Sequence, residues 1–303
     1  MPYIAYEEYN FHRKSALQIE QAVDIIAEYS AQGYTLSLRQ LYYQFVSRDF
    51  IPNTERSYDN LGTLITKARM AGLVDWLDIE DRGRKVEEWL IEEDEAEPLD
   101  GIEQYFALDF WARQERYIEV WVEKDALSSV IKRPCGMFRV PYMACKGYLS
   151  SSEAWRAGQR FEAMANEGRI CTLIHLGDHD PSGIDMTRDN AERLETFAGE
   201  QIEVRRIALN MDQVRQYNPP PNPAKMTDKR ANSYIADYGT KSWELDALQP
   251  SVIERLVRDE IEGMVDFDVW RETEQEELEG REALAKLHGN WPAVREFLAD
   301  LRP

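Results

Sequence analysis

YIEVWVEKDALSSVI, residues 117–131, reads as a strand, an abrupt polar stop and the start of a helix. Tyr117–Val122 is built of β-branched and aromatic residues, the side chains that fit a pleated, half-buried surface. It halts at Glu123-Lys124-Asp125, and ALSSVI (126–131) carries on at helical spacing. The same grammar returns downstream, where CTLIHL (171–176) halts at Gly177-Asp178-His179-Asp180-Pro181-Ser182-Gly183. Around these two runs, FRVPYMAC (138–145), SSEAWRAGQRFEAMA (151–165), RICTLIHL (169–176), MTRDNAERLETF (186–197) and EVRRIAL (203–209) alternate between strand and helix patterns. That alternation predicts an α/β fold with a largely parallel sheet and crossover helices.

Parallel strands send their carboxyl-end loops toward one crevice. Glu123, Asp178 and Asp180 each stand at such an end, and three carboxylates brought together repel unless a hard cation neutralises them. They are therefore the candidate metal ligands, with Mg²⁺ as the cation and Mn²⁺ as its substitute. The plainer alternative is a solvated turn, for which Asp, Pro, Ser and Gly are ordinary residues. His175 and His179 lie close by, but hard-cation sites seldom use imidazole, and both are read as structural. Lys124 and Lys146, at the ends of the first two strands, are candidates for phosphate contacts; the bland readings are a surface lysine at a helix start and an ordinary strand-to-helix turn.

The 303 residues allow two domains or one large one. No apolar run approaches the roughly 18 residues of a membrane span, and MPYIAYEEYNFHRK offers no apolar signal core. Three cysteines, an odd number in no CxxC pattern, suit a reduced cytoplasm and a role as small core residues. The net charge of −20 argues against non-specific coating of nucleic acid. The acids are unevenly spread, however, crowding into 92–97 and 259–279, whereas 36–72 is mildly basic and leaves local DNA binding open.

That basic segment belongs to a different kind of structure. Ser15–Ala31 is expected as a helix with Leu17, Ile19, Ala22, Ile25, Ile26 and Tyr29 inward, ended by Gly33. Ser37 caps a second helix, Leu38–Ser47, and Ser57 a third carrying Leu61, Leu64, Ile65 and Ala68. Val74–Ile79 is expected as a strand and Asp81-Arg82-Gly83-Arg84 as a basic turn. Three helices, a strand and a turn describe a winged helix. The acidic stretch Glu87–Leu99 reads as a connection, Asn218–Pro223 as a stiff extended segment, and Glu254–Leu301 as an acidic helical region. The expected division is a winged helix over 1–86, an acidic linker over 87–116 and an α/β domain over 117–303.

Within the second helix, Leu38, Leu41, Tyr42 and Phe45 form the inward stripe, and Tyr43 lies off it, one turn beyond Arg39. An arginine beside a tyrosine suits a phosphate: the guanidinium takes the oxygens, the phenol oxygen faces phosphorus, and the positive charge favours phenolate. A half-exposed surface tyrosine is the plainer reading.

VEKDAL (122–127), CKGY (145–148) and GDHDPSG (177–183), in that order, resemble the Toprim domain of the topoisomerase VI A subunit and its meiotic double-strand-break relatives. SLRQLYY (37–43) is similar to the segment of their winged-helix domain that holds the active-site tyrosine, and SWELDAL (242–248) is a weaker closing match. The resemblance implies a winged helix followed by a Toprim-type, Rossmann-like parallel-sheet domain. It makes Tyr43, of the pair Tyr42-Tyr43, the nucleophile, Arg39 a phosphate contact, and Glu123, Asp178 and Asp180 the Mg²⁺ ligands. It also implies a homodimer acting on double-stranded DNA, one subunit's tyrosine meeting the other's acids, and a separate GHKL-type ATPase B subunit for strand passage. Two departures stand out: Tyr148 follows where the family's strand motif runs on to an arginine, and no ATPase module is present. A Toprim nuclease that uses water, and a non-catalytic DNA-binding protein, are the alternatives.

Overall fold

The structure is a computed structural model, and it describes residues 5–80, 97–99, 101–224 and 230–301. In chain order the elements begin with α1 (Arg13–Ala31), β1 (Leu36–Ser37), α2 (Leu38–Ser47), α3 (Glu55–Met70), β2 (Ile79–Glu80), α4 (Ile102–Tyr105) and β3 (Arg116–Val122). There follow α5 (Ser128–Met137), β4 (Tyr142–Ala144), α6 (Ser151–Asn166), β5 (Ile170–Leu176), α7 (Pro181–Ala198), β6 (Glu203–Ala208) and α8 (Met211–Tyr217). The chain closes with β7 (Asn222–Pro223), α9 (Ala231–Tyr238), β8 (Lys241–Ser242), α10 (Pro250–Glu262), α11 (Phe267–Gly289) and α12 (Trp291–Asp300). Two compact units result, residues 1–83 with 117–262 and residues 84–116 with 263–303. None of the described helices is long and apolar enough to cross a membrane.

The expected α/β architecture is present in the first unit as a four-stranded parallel sheet of order β4-β3-β5-β6. β3 is apolar where it must be, with Ile118, Val120, Trp121 and Val122 buried. Its one buried acid, Glu119, is fully answered: Arg160 donates to both oxygens at 2.8 and 2.9 Å, Tyr117 at 2.7 Å and Trp121 at 2.8 Å. Such pairing is what keeps a buried charge tolerable. β3 leads through α5 to β4 on one side, and α6 brings the chain back to β5 on the other. The strand order thus reverses between β3 and β5, the switch point at which open α/β sheets form their crevice.

The first 80 residues hold their own core, formed by Ile19, Ile25, Leu41, Phe45, Leu61 and Ile65 among others. α2 begins as its sequence requires. Gln40 N donates to Ser37 Oγ and Ser37 N to Gln40 Oε1, which satisfies two of the amides that a helix start leaves open. α3 is capped by Thr54 rather than by the expected Ser57, which lies one turn inside and donates its amide to the Thr54 hydroxyl at 3.2 Å. Leu17, expected inward on α1, is 53% exposed. The strand expected over Val74–Ile79 shrinks to Ile79–Glu80, paired in parallel with β1. The cause is local: Asp75 and Asp78 fold the preceding residues into a turn in which Leu77 N donates to Asp75 Oδ1 and Asp75 N to Asp78 Oδ2. The expected basic turn at 81–84 and residues 87–96 of the acidic stretch lie outside the described residues; Glu97–Leu99 makes one 3₁₀ turn. Asn218, expected in an extended segment, instead closes α8 in the left-handed region at φ 45°.

In the second unit α4 and α11 meet. Phe110 and Trp111 pack on Trp270, and Gly280 admits the Phe106 ring where a Cβ would lie 2.4 Å from its edge. Gln114 exchanges two hydrogen bonds with the backbone of Asp266, 3.0 and 2.8 Å.

Candidate active site at the switch point of the sheet

The carboxyl ends of β3 and β5 remain zipped beyond the strands. Glu123 N donates to Leu176 O at 2.8 Å, and Glu123 Oε2 accepts from Asp178 N at 2.8 Å, so two of the three expected acids lie side by side across the switch point. β4 joins them: Cys145 N donates to Val122 O at 2.8 Å, which sets Lys146 at the rim. Asp180 begins α7, its Oδ1 accepting from Gly183 N at 2.6 Å and Ser182 Oγ at 2.8 Å, with Pro181 in the first turn. Gly183 is required there, since a Cβ would fall 2.2 Å from Asp178 O.

A cleft of about 1080 Å³ opens over these ends, and α2 forms another of its walls. Glu123, Asp178 and Asp180 line it together with Arg39 and Tyr43, although 80 to 141 positions of chain separate the two groups. Acids and tyrosine therefore share one cleft within a single chain.

Tyr43 is more enclosed than its position off the α2 stripe suggested. It is only 3% exposed, with Arg39 5.9 Å from its ring centre and Tyr42 packed edge-on at 5.3 Å. α2 is buried almost all round, Gln40 and Gln44 included. The expected lowering of the phenol by Arg39 is overturned: burial, then the Asp246 and Glu244 carboxylates, outweigh Arg39 and Lys124 and raise the Tyr43 pKa above its ordinary 10. The two tyrosines are told apart by their hydroxyls. Tyr42 donates to Asn53 Oδ1 at 2.9 Å and Thr54 O at 3.1 Å, whereas among the described residues the Tyr43 hydroxyl has no hydrogen-bond partner.

Two acids absent from the sequence reading complete the site. Glu244 and Asp246 flank Leu245 in the SWELDAL segment, which runs antiparallel to the 177–180 loop through the pairing of Trp243 with His179. Leu245 N donates to Asp178 Oδ1 at 2.8 Å. Lys124 Nζ sits among three carboxylates: Glu244 Oε2 at 2.6 Å, Asp246 Oδ1 at 3.0 Å and Asp178 Oδ2 at 3.0 Å. Arg39 meets the same pair, Nη2 to Glu244 Oε2 at 2.5 Å and Nε to Asp246 Oδ2 at 3.2 Å. Burial works against the charge of Lys124, but the three acids prevail and hold it protonated. Glu244, despite its burial, is drawn down to about 2 by Lys124 and Arg39. A signal for this pair existed in the sequence, acids two residues apart in a segment already picked out, but nothing local said that they would reach β3 and α2.

No protein-family model matches the chain, and no curated protein is similar to it at a significant level.

The remaining expected residues sort clearly. Lys146 is 68% exposed at its side chain, with Asp125 3.5 Å away. His175 and His179 are buried and structural, Nδ1 of each within 2.8 Å of a hydroxyl, of Thr187 and Tyr234 respectively. Where the family's strand motif would supply an arginine, Tyr148 instead donates to Asp185 at 2.7 Å under the guanidinium of Arg230.

The donor set bears on a metal directly. Burial first, then the Glu123 and Asp246 carboxylates, push Asp178 up to about 8 against the pull of Lys124, and burial raises Glu123 as well. Crowded carboxylates whose charge is disfavoured in this way are the chemistry a hard cation relieves. Glu123 Oε1 and Asp180 Oδ2 have no hydrogen-bond partner among the described residues, whereas both oxygens of Asp178 are engaged, by Leu245 N and Lys124. Among those residues no three acidic, imidazole or thiol groups converge as a ready-made ligand cage. A site offering one or two carboxylates fits Mg²⁺, which keeps several waters and takes others of its ligands from substrate phosphates.

Proposed function

We propose that this chain is a Mg²⁺-dependent DNA-cleaving protein of the topoisomerase VI A type, a winged helix followed by a Toprim-type domain. The observation that carries the reading is the shared cleft: a tyrosine whose hydroxyl has no partner among the described residues, an arginine beside it, and the three switch-point acids line one cavity. The sequence resemblance names the same residues. In this reading Tyr43 Oη attacks a phosphodiester, an O–P bond to the phenol forms as the bond to the 3′ oxygen breaks, and the phenol proton ends on the released 3′ hydroxyl. Transesterification leaves the number of phosphoester bonds unchanged, so a nick or break is stored as a 5′-phosphotyrosyl link. Arg39 orients the phosphate and balances charge gathering on its non-bridging oxygens. Glu123 and Asp180 would hold Mg²⁺, with Asp178 joining when Lys124 is drawn away; the ion supplies Lewis-acid stabilisation of those oxygens. Breaking both strands needs two such centres, hence a homodimer, and ATP-driven strand passage would need a separate ATPase subunit.

The test is incubation with supercoiled plasmid and Mg²⁺ or Mn²⁺, followed by detergent denaturation. Linear DNA that enters the aqueous phase only after protease treatment is the expected product, absent with Tyr43→Phe. Cleavage that survives Tyr43→Phe unchanged overturns the tyrosyl mechanism. One observation favours that second reading, a Toprim nuclease using water: Tyr43 is nearly fully enclosed and its phenol is held protonated by burial and two carboxylates.

A further inference from the structure

The place in the cleft where a phosphate would sit between cations is already filled by a carboxylate. A single oxygen, Glu244 Oε2, lies 2.5 Å from Arg39 Nη2 and 2.6 Å from Lys124 Nζ, bridging a guanidinium and an ammonium as a phosphodiester oxygen does. Asp246 reaches the same two cations with separate oxygens, 3.0 Å to Lys124 and 3.2 Å to Arg39 Nε. The two acids differ in how they are held. The Asp246 side chain is wholly buried, whereas that of Glu244 is 22% exposed, and among the described residues its second oxygen accepts only from the Asn222 amide, at 3.3 Å.

We propose that Glu244 is a built-in stand-in for the substrate phosphate, seated on Arg39 and Lys124 until a DNA phosphodiester displaces it. Asp246 stays in place and keeps the two cations together. The proposal rests on the DNA-acting reading above and adds its control. With Glu244 seated, the charges of Arg39, Lys124, Glu244 and Asp246 cancel, and Glu123, Asp178 and Asp180 face DNA with only Lys146 at the rim against them among the described lysines and arginines of the cleft. With Glu244 swung into water, the seat regains a net positive charge beside Tyr43. The exchange is near balance, since one anion replaces another on the same donors while the freed carboxylate is rehydrated. Duplex binding is therefore weak by construction, and the nucleophile is shielded until a phosphate is correctly placed.

The experiment is fluorescence anisotropy with a labelled 30-base-pair duplex in EDTA, so that neither metal nor cleavage contributes. Glu244→Gln keeps the shape and removes the charge. It is expected to bind about tenfold tighter than wild type, the worth of one charge-assisted phosphate contact, with a salt slope steeper by about 0.9. Glu244→Asp retains the charge and is expected to stay within about twofold of wild type. Adding Arg39→Ala to Glu244→Gln is expected to erase the gain, because the vacated seat is lost. Thermal melting of each variant separates misfolding from loss of contact. Equal or weaker binding by a normally melting Glu244→Gln, a gain that survives Arg39→Ala, an equal gain in Glu244→Asp, or no duplex binding by any form at low salt overturns the proposal. The plasmid assay reads the function separately: covalent adducts with no gain in Glu244→Gln defeat the stand-in alone, and a gain without adducts defeats the transesterase alone.

Discussion

His175 shows what burial does to one residue of the sheet. Its Nδ1 is satisfied by Thr187, its Nε2 is buried with no hydrogen bond among the described residues, and burial, then the charge of Arg206, lowers its pKa from 6.5 to about 3. His179 is lowered to about 4 for the same leading reason. A base whose pKa falls on folding binds more protons when unfolded, so its contribution to stability is complete above pH 6.5 and is lost as pH drops toward 3. Each such histidine steepens the loss by about 1.4 kcal/mol per pH unit inside that window. His175→Asn should accordingly be less stable than wild type at pH 7.5 but flatter in its pH dependence below 6.5, read from urea denaturation at pH 7.5, 5.5 and 4.5. A slope unchanged from wild type would show that His175 is not the titrating group. The residue scale also marks where the sequence could be read and where it could not. Glu123, Asp178 and Asp180 were legible because strand ends are local signals, and the switch-point geometry then gathers them. Glu244 and Asp246 were not, because their meaning lies in cationic partners 120 to 207 positions away along the chain.

Helices and strands were legible to the extent that their neighbours agreed with local preference. Ser37 caps α2 as expected, with Gln40 completing a capping box beyond that expectation, but Tyr43, Gln40 and Gln44 are buried because α2 is covered on several sides, which a single amphipathic stripe does not announce. The strand expected over 74–79 lost to two aspartates whose side chains closed a turn on the backbone. Gly158 makes the same point in reverse. A glycine in the middle of α6 costs about 1 kcal/mol relative to alanine by propensity alone. Here α7 approaches so closely that an added Cβ would lie 2.3 Å from Phe197 Cβ and 2.9 Å from its carbonyl carbon. Gly158→Ala is therefore expected to destabilise by roughly 1–3 kcal/mol, the cost of overpacking, despite its better helix propensity. Chemical denaturation monitored by circular dichroism measures it, and a stabilised variant would mean that the two helices separate more easily than their contact implies.

At the scale of the whole molecule, charge and architecture are divided. Residues 84–116 and 263–303 carry 21 acidic against 9 basic residues, so most of the net charge of −20 belongs to the second unit, whereas the cleft belongs to the first. The overall charge is thus a poor guide to what the cleft accepts, and the uneven distribution seen in the sequence was the better one. A compact unit with its own apolar contacts is expected to unfold as its own cooperative step. In the second unit those contacts centre on Trp270, 4.5 Å from the Phe110 ring and 6.3 Å from that of Trp111. Because Trp270 is only partly buried, Trp270→Ala should cost about 2–3 kcal/mol, below the range for a fully enclosed aromatic. Hydrogen-exchange mass spectrometry reads where that loss falls. Protection should drop along α4 and α11 while β3, β5 and the 177–183 loop keep theirs, because Phe110 and Trp111, whose rings Trp270 meets, belong to the second unit. A parallel loss across the sheet would instead show that the two units unfold as one, and stability measured at the cleft would then report on the acidic unit as well.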